Sequence, residues 1–172
     1  MTTPSTAGVP DIRIGHGYDA HRFAEPDDQR ELILGGVRIP HDRGLLAHSD
    51  GDALIHALCD AILGALALGD IGRHFPDTAA EFKNADSAAL LNTVMALAEE
   101  GSWQVVNADM TILAQAPKMA PHITDMQARL ADLLKVDTAR VNVKASTTEK
   151  MGFVGRKEGI ETYAVVLLAR TY

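Results

Sequence analysis

The chain has 172 residues, 47% hydrophobic and 23% charged, with a formal net charge of −7. That length and composition describe one globular domain able to bury its own core. The acidic balance, with no run of lysine or arginine, excludes a nucleic-acid surface, and the single Cys59 excludes an internal disulfide framework or a Cys-rich zinc finger.

Residues 1–11 are small and polar, without a charged and apolar leader pattern, and read as a flexible extension before a single domain over 12–172. A cytoplasmic location follows as the expectation. Residues 12–23 alternate Ile12, Ile14, His16 and Tyr18 against Arg13, Gly15, Gly17 and Asp19, a strand pattern loosened by glycine. Residues 31–39 predict a second short strand before Pro40. A polar loop then leads into a helix expected from Asp50 to near Gly69, with Ser49 and Asp52 spaced as a capping-box variant. Its apolar stretch, Ala53 to Leu68, is broken by His56 and Asp60 and is too short for a membrane span. Cys59 inside it reads as a packed thiol.

Residues 70–85 form a loop longer than the usual connection, a length common in functional loops. A second helix is expected over 86–100, stopping at Gly101, and a strand over 103–115. Pro121 opens a third helix with Ile123, Met126, Leu130, Leu133 and Leu134 on its apolar side. Val141, Val143 and Ala145 mark a strand, and residues 161–170 a last one whose unbroken apolar run predicts burial on both faces. The order β-β-α-α-β-α-β-β predicts an α+β fold, a mixed four- to five-stranded sheet with helices packed on one face. Val165 to Leu168 cannot all turn inward in one chain, which predicts self-association through the sheets.

Asp19 and His21 lie two apart on an extended chain, so both point to one face. With His56 on a facing helix they make two imidazoles and a carboxylate, a set that suits Zn²⁺ with an open fourth position. The plainer alternative is two surface polar residues and a hydrogen-bonded core histidine. Five histidines crowd residues 16–56, and Asp60 sits one turn beyond His56, where it could orient or flank that ring; the metal reading is the stronger.

Three further segments carry polar groups with two readings each. His48-Ser49-Asp50-Gly51-Asp52 offers a histidine, a hydroxyl and free amides at a helix start, either an anion site or a plain cap. Residues 69–78 set Asp70 between glycines, suited to a ribose diol or to a simple helix end. Lys144 to Lys150 bring three hydroxyls and Glu149, an oxygen ligand for Mg²⁺ or a solvated residue in a threonine-rich stretch. A zinc phosphohydrolase and a non-catalytic nucleotide-binding module with structural zinc are the rival functions.

The stretches RIGHGYDAHRF, LLAHSDGDALIHALCDAILGALALGDIGRHFPDT, FKNADS, AQAPKM and VNVKASTTEKMGFVGRKEGI closely resemble the 2-C-methyl-D-erythritol 2,4-cyclodiphosphate synthase family of the non-mevalonate isoprenoid pathway. They run in order from about residue 13 to the end. The resemblance implies a homotrimer, assembled through its sheets, with active sites between subunits. It implies a lyase that converts 4-diphosphocytidyl-2-C-methyl-D-erythritol 2-phosphate to the cyclic diphosphate and CMP. The implied zinc ligands (or those of another divalent transition metal) are Asp19, His21 and His56, with Glu149 on Mg²⁺ or Mn²⁺.

The implied catalytic residues are His48 and Thr147, as transition-state stabilisers. Substrate contacts are implied at Asp19, His21 and Ser49, and along Asp70, Ile71, Gly72, Phe75, Pro76, Asp77, Thr78 and Ala79. The cytidine pocket is implied at Ala114, Gln115, Ala116, Pro117, Lys118, Met119 and Ala120, with Ser146, Thr147, Thr148 and Glu149 of a neighbouring chain. Phe153 and Arg156 fall at the lip. Tyr18, Arg156 and Glu158 match positions around a central cavity suggested to hold an isoprenoid diphosphate. Two departures stand out: Ser146 replaces a threonine, keeping its hydroxyl, and Ala120 replaces a larger aliphatic at the rim of the base pocket.

Overall fold

The computed structural model describes residues 11–76 and 85–171. In chain order the elements are strand β1 (Ile12–Arg22), strands β2 (Leu32–Leu34) and β3 (Val37–Ile39), helix α1 (Ala53–Ala65), the single turn α2 (Ile71–His74) and helix α3 (Ser87–Glu100). They continue through β4 (Trp103–Leu113), α4 (Ile123–Leu134), β5 (Val141–Ser146), the short α5 (Gly152–Gly155) and β6 (Gly159–Arg170). The main sheet has four strands in the order β1-β6-β4-β5. β6 runs antiparallel to both neighbours, whereas β4 and β5 are parallel, joined through α4. This is the expected α+β fold with a mixed sheet.

Two glycines decide where α1 lies. A Cβ at Gly15 would sit 1.7 Å from the Ala61 carbonyl oxygen, and one at Gly17 would sit 1.8 Å from that of Ala57. The helix backbone therefore rests directly on β1, its own alanines turned to the strand. Its larger side chains, Leu54, Leu58 and Ile62, are fully buried in the core. Each contributes about 1.5–3 kcal/mol by leaving water.

The expected second strand over 31–39 is instead a hairpin. Gly35 and Gly36, at φ of 60° and 72°, turn the chain where a side chain would be strained. The helix expected from Asp50 begins at Ala53, because Asp52 and not Ser49 supplies the cap: it accepts from Ile55 N at 3.0 Å. The same carboxylate accepts from Gly35 N at 2.9 Å and Gly36 N at 2.6 Å. One fully buried aspartate thus ties the hairpin to the helix start.

Of the expected N-terminal extension, residues 1–10 lie outside the described residues. Asp11 is anchored, its carbonyl accepting from Arg170 N at 3.0 Å. Within a single chain the last strand buries one face and leaves the other open, as the limit on Val165 to Leu168 requires. Ile160, Thr162, Ala164, Val166 and Leu168 point into the core, while Val165 is 42% exposed. On the same open face of β1, Ile12, Ile14 and Tyr18 are 54%, 73% and 46% exposed. Among the described residues, no helix is long and apolar enough to cross a membrane.

Candidate active site and metal centre

β1 and α1 bring Asp19, His21 and His56 together as expected. Asp19 Oδ2 lies 2.9 Å from His21 Nε2 and 3.0 Å from His56 Nδ1, and the two ring nitrogens are 3.2 Å apart. Such mutual contacts between acceptor atoms need a shared cation or proton. The outer nitrogens are occupied: His21 Nδ1 meets the Leu46 carbonyl at 3.1 Å, and His56 Nε2 meets Ser87 Oγ at 2.9 Å and Ser49 Oγ at 3.1 Å. His21 must donate to Leu46, which leaves its Nε2 lone pair facing the cluster. The donor set, a carboxylate and two imidazoles converging at one point, fits a divalent metal ion.

Charge fits the same use. Burial would raise the Asp19 carboxyl, but the hydrogen bonds and charges of His21 and His56 outweigh it and hold the group well below the usual carboxylate range. Burial would lower His56, yet Asp19, with Asp52 and Asp50 behind it, pushes it upward. Cys59 is fully buried and its thiol is pushed up by that burial, so it is the packed residue expected and no nucleophile.

The triad opens into a cavity of about 370 Å³ whose rim includes His48, Ser49, Ile71, Gly72 and Phe75. His48 is exposed and Ser49 is buried, its hydroxyl accepting from Gly51 N at 3.1 Å. Asp70 caps α2 by accepting from Arg73 N at 3.0 Å. Pro76 is exposed beside them, and Asp77, Thr78 and Ala79 lie outside the described residues.

A second cleft of about 330 Å³ collects Ala114, Gln115, Lys118, Met119, Ser146 and Thr147. Pro117 and Ala120 also border it. Gln115 Oε1 accepts from Lys150 N at 3.3 Å, so the loop after β5 is tied to the segment after β4. Thr147 Oγ1 donates to Glu149 Oε1 at 2.9 Å and Thr148 Oγ1 to the Met151 carbonyl at 2.6 Å. Phe153 is 37% exposed, and Arg156 donates to Glu158 at 2.7 Å.

The two clefts do not meet in one chain. Asp19 pairs in register with Thr162, Thr162 with Ile112 and Ile112 with Ala145, so the clefts stand at opposite edges of the sheet. Three strand spacings separate them, roughly 14 Å. Thr162 and Ile112, between them, are fully buried. His48 and Thr147 accordingly sit in different clefts.

The sequence model of the YgbB family matches residues 12–169. A 2-C-methyl-D-erythritol 2,4-cyclodiphosphate synthase of Azotobacter vinelandii is 65% identical over 157 residues, covering 91% of this chain and 98% of the relative. The chain belongs to the YgbB family. A synthase of the same name from Nitrosococcus oceani is 62% identical over 157 residues, covering 91% and 98% of the two chains. Among solved structures, the Plasmodium falciparum IspF complex with CDP matches with a TM-score of 0.82 at 35% identity, over 96% of this chain and 100% of that one. The bifunctional IspDF from Campylobacter jejuni matches with a TM-score of 0.89 at 46% identity, over 95% of this chain but 43% of that longer one.

Within this YgbB chain one local expectation holds in half. Asp60 flanks His56 in the same cavity but does not orient it; its carboxylate accepts from Ile71 N at 2.6 Å and holds α2 against α1. The partners of His56 Nε2 are Ser49 and Ser87. Ser87 stands 31 residues further along, and no local spacing could have linked it to the histidine.

Proposed function

We propose that this chain catalyses a metal-assisted intramolecular cyclisation at a site completed by two subunits. By its family, the chain is an enzyme of isoprenoid biosynthesis. It converts 4-diphosphocytidyl-2-C-methyl-D-erythritol 2-phosphate to 2-C-methyl-D-erythritol 2,4-cyclodiphosphate and CMP. A 2-phosphate oxygen forms a bond to the β-phosphorus, the bond from that phosphorus to the α–β bridging oxygen breaks, and CMP leaves with the electron pair. No water is consumed and no protein nucleophile is needed.

The observation that carries this reading is the convergence of Asp19, His21 and His56 beside a cavity rimmed by His48 and Ser49. Ligands about 2.0–2.1 Å from a tetrahedral ion lie roughly 3.3 Å apart, close to the separations here, which favours Zn²⁺ or a similar transition metal over Ca²⁺. Bound there, such an ion would polarise the β-phosphate as a Lewis acid, while Mg²⁺ or Mn²⁺ at Glu149 would offset the charge of departing CMP. His48 and Ser49 hold the phosphate at the cavity rim, and Thr147 steadies the same group from the neighbouring subunit. Asp70, Ile71 and Gly72, with Phe75, Pro76, Asp77, Thr78 and Ala79, receive the ribose and the erythritol phosphate. Residues Ala114 to Ala120 and Ser146 to Glu149 hold the cytidine. Holding nucleophile and phosphorus together removes about 7–11 kcal/mol from the barrier.

A homotrimer fits the separation of the two clefts, because a neighbour's loop after β5 can reach the metal pocket that the chain's own loop does not. The open sheet face of Ile12, Ile14, Tyr18 and Val165 supplies the apolar contact. Tyr18 on that face, with the paired Arg156 and Glu158, supports an isoprenoid diphosphate on the central axis. Unchanged thermal stability across a geranyl diphosphate titration would count against that ligand.

Incubation with the cytidine substrate, Zn²⁺ and Mg²⁺, followed by phosphorus NMR, tests the reaction. The cyclic diphosphate and CMP are expected, without oxygen from labelled water. An open phosphate carrying that label would instead make the chain a phosphohydrolase.

A further inference from the structure

The geometry points to Asp50 and Ser87 as positioning residues that fix the tautomer of His56 and so aim its lone pair into the metal site. Ser87 is fully buried at the first position of α3 and its Oγ donates to Asp50 Oδ1. A serine hydroxyl has one hydrogen, and here the carboxylate takes it. Toward His56 Nε2, 2.9 Å away, that oxygen can only accept. The Nε2 atom therefore carries the ring proton, and Nδ1 turns its lone pair to Asp19 and His21. Ser49 Oγ, 3.1 Å from the same nitrogen, is a hydroxyl that can give or take a hydrogen and follows whichever tautomer Ser87 sets.

Asp50 is itself held. Its Oδ2 accepts from Ser87 N at 3.1 Å, its Oδ1 from Asp52 N at 3.1 Å, and its own N donates to the Ala85 carbonyl at 3.1 Å. The loop before α1 and the start of α3 are thereby stitched together behind the histidine. A carboxylate that polarises a hydroxyl, which in turn orients a ligating imidazole, raises ligand basicity and removes the competing tautomer. The carboxylate reaches His56 through a serine, so neither residue touches the ion or the substrate.

This inference rests on the metal reading above, and the experiment separates the two. Zn²⁺ affinity is measured by chelator competition for the wild-type protein, Ser87→Ala and Ser87→Thr. Alanine is expected to weaken binding about 10–100-fold, the usual effect of losing such an outer partner, and threonine to restore most of it. Wild-type protein that binds Zn²⁺ while Ser87→Ala stays within about twofold of it overturns the inference and leaves the metal site standing. Wild-type protein that does not bind Zn²⁺ overturns both. Should the alanine variant fail to fold, the imidazole nitrogen-15 spectrum of metal-free wild-type protein at mildly alkaline pH decides alone. A proton on Nε2 of His56 is expected, with or without a second one on Nδ1 facing Asp19; a ring protonated on Nδ1 alone overturns the inference.

Discussion

Thr162 Oγ1 donates to the Ala53 carbonyl oxygen at 2.8 Å, pinning the first residue of α1 to β6 beside Asp19, its partner in register. His56 stands one turn along the same helix, so this bond helps set its height over the carboxylate. Thr162→Val keeps the shape and loses the bond, at an expected cost of about 1–2 kcal/mol in urea unfolding. Zn²⁺ affinity should fall with it. An unchanged urea midpoint would mean that the alanine face of α1 against Gly15 and Gly17 is sufficient to seat the helix.

The metal-free protein should have a pH window set by the triad. His56 is raised, so its contribution is complete below its ordinary value of about 6.5 and lost as pH climbs through the higher folded one. Asp19 is lowered, so its contribution is complete above about 4 and lost as pH falls through the depressed folded value. Stability from this cluster therefore peaks between about pH 4 and 6.5. Zn²⁺ reverses the alkaline side, because it requires deprotonated ligands. Thermal midpoints with and without Zn²⁺ should diverge above that window; a constant gap would contradict the ligand set.

Ile14→Glu places a charge on the most exposed large apolar residue of the open sheet face. If that face joins copies of the chain, each buried glutamate costs about 2 kcal/mol or more. Light scattering after size exclusion should register a fall from trimer towards monomer, with helix content kept. A trimer that survives would move the interface elsewhere.

Glu149→Gln keeps the acceptor for the Thr147 hydroxyl but removes the charge. Half-maximal turnover should then need about tenfold more Mg²⁺, equivalent to about 1.4 kcal/mol, with Zn²⁺ affinity unaltered. Equal Mg²⁺ dependence in both proteins would exclude Glu149 as the ligand.

The chemistry of the site was legible in the sequence because its strongest signals are local. Asp19 and His21 share a face by the alternation of a strand, and His56 interrupts an apolar helix where only function or a satisfied partner explains it. The three long helices and the four strands of the main sheet could be read in order from period alone. The hairpin at Gly35-Gly36 was hidden in what looked like one strand, since only three residues lie on either side of the turn.

Other relationships belong to the tertiary structure. Asp52 was legible as a member of a capping box begun by Ser49, but not as the cap itself, nor as the acceptor for a hairpin 16 and 17 residues earlier. Asp60 was one helical turn from His56 and still turned to α2, because an unpaired N–H at a helix start outcompeted a ring already held by Ser49 and Ser87. Sequence spacing places residues on one element's face; it does not say which distant donor or acceptor reaches them. The residue types of the metal site were thus determined along the chain. Their tautomers, and the separation of His48 from Thr147 across two buried strands, were decided only when the sheet and helices closed on each other.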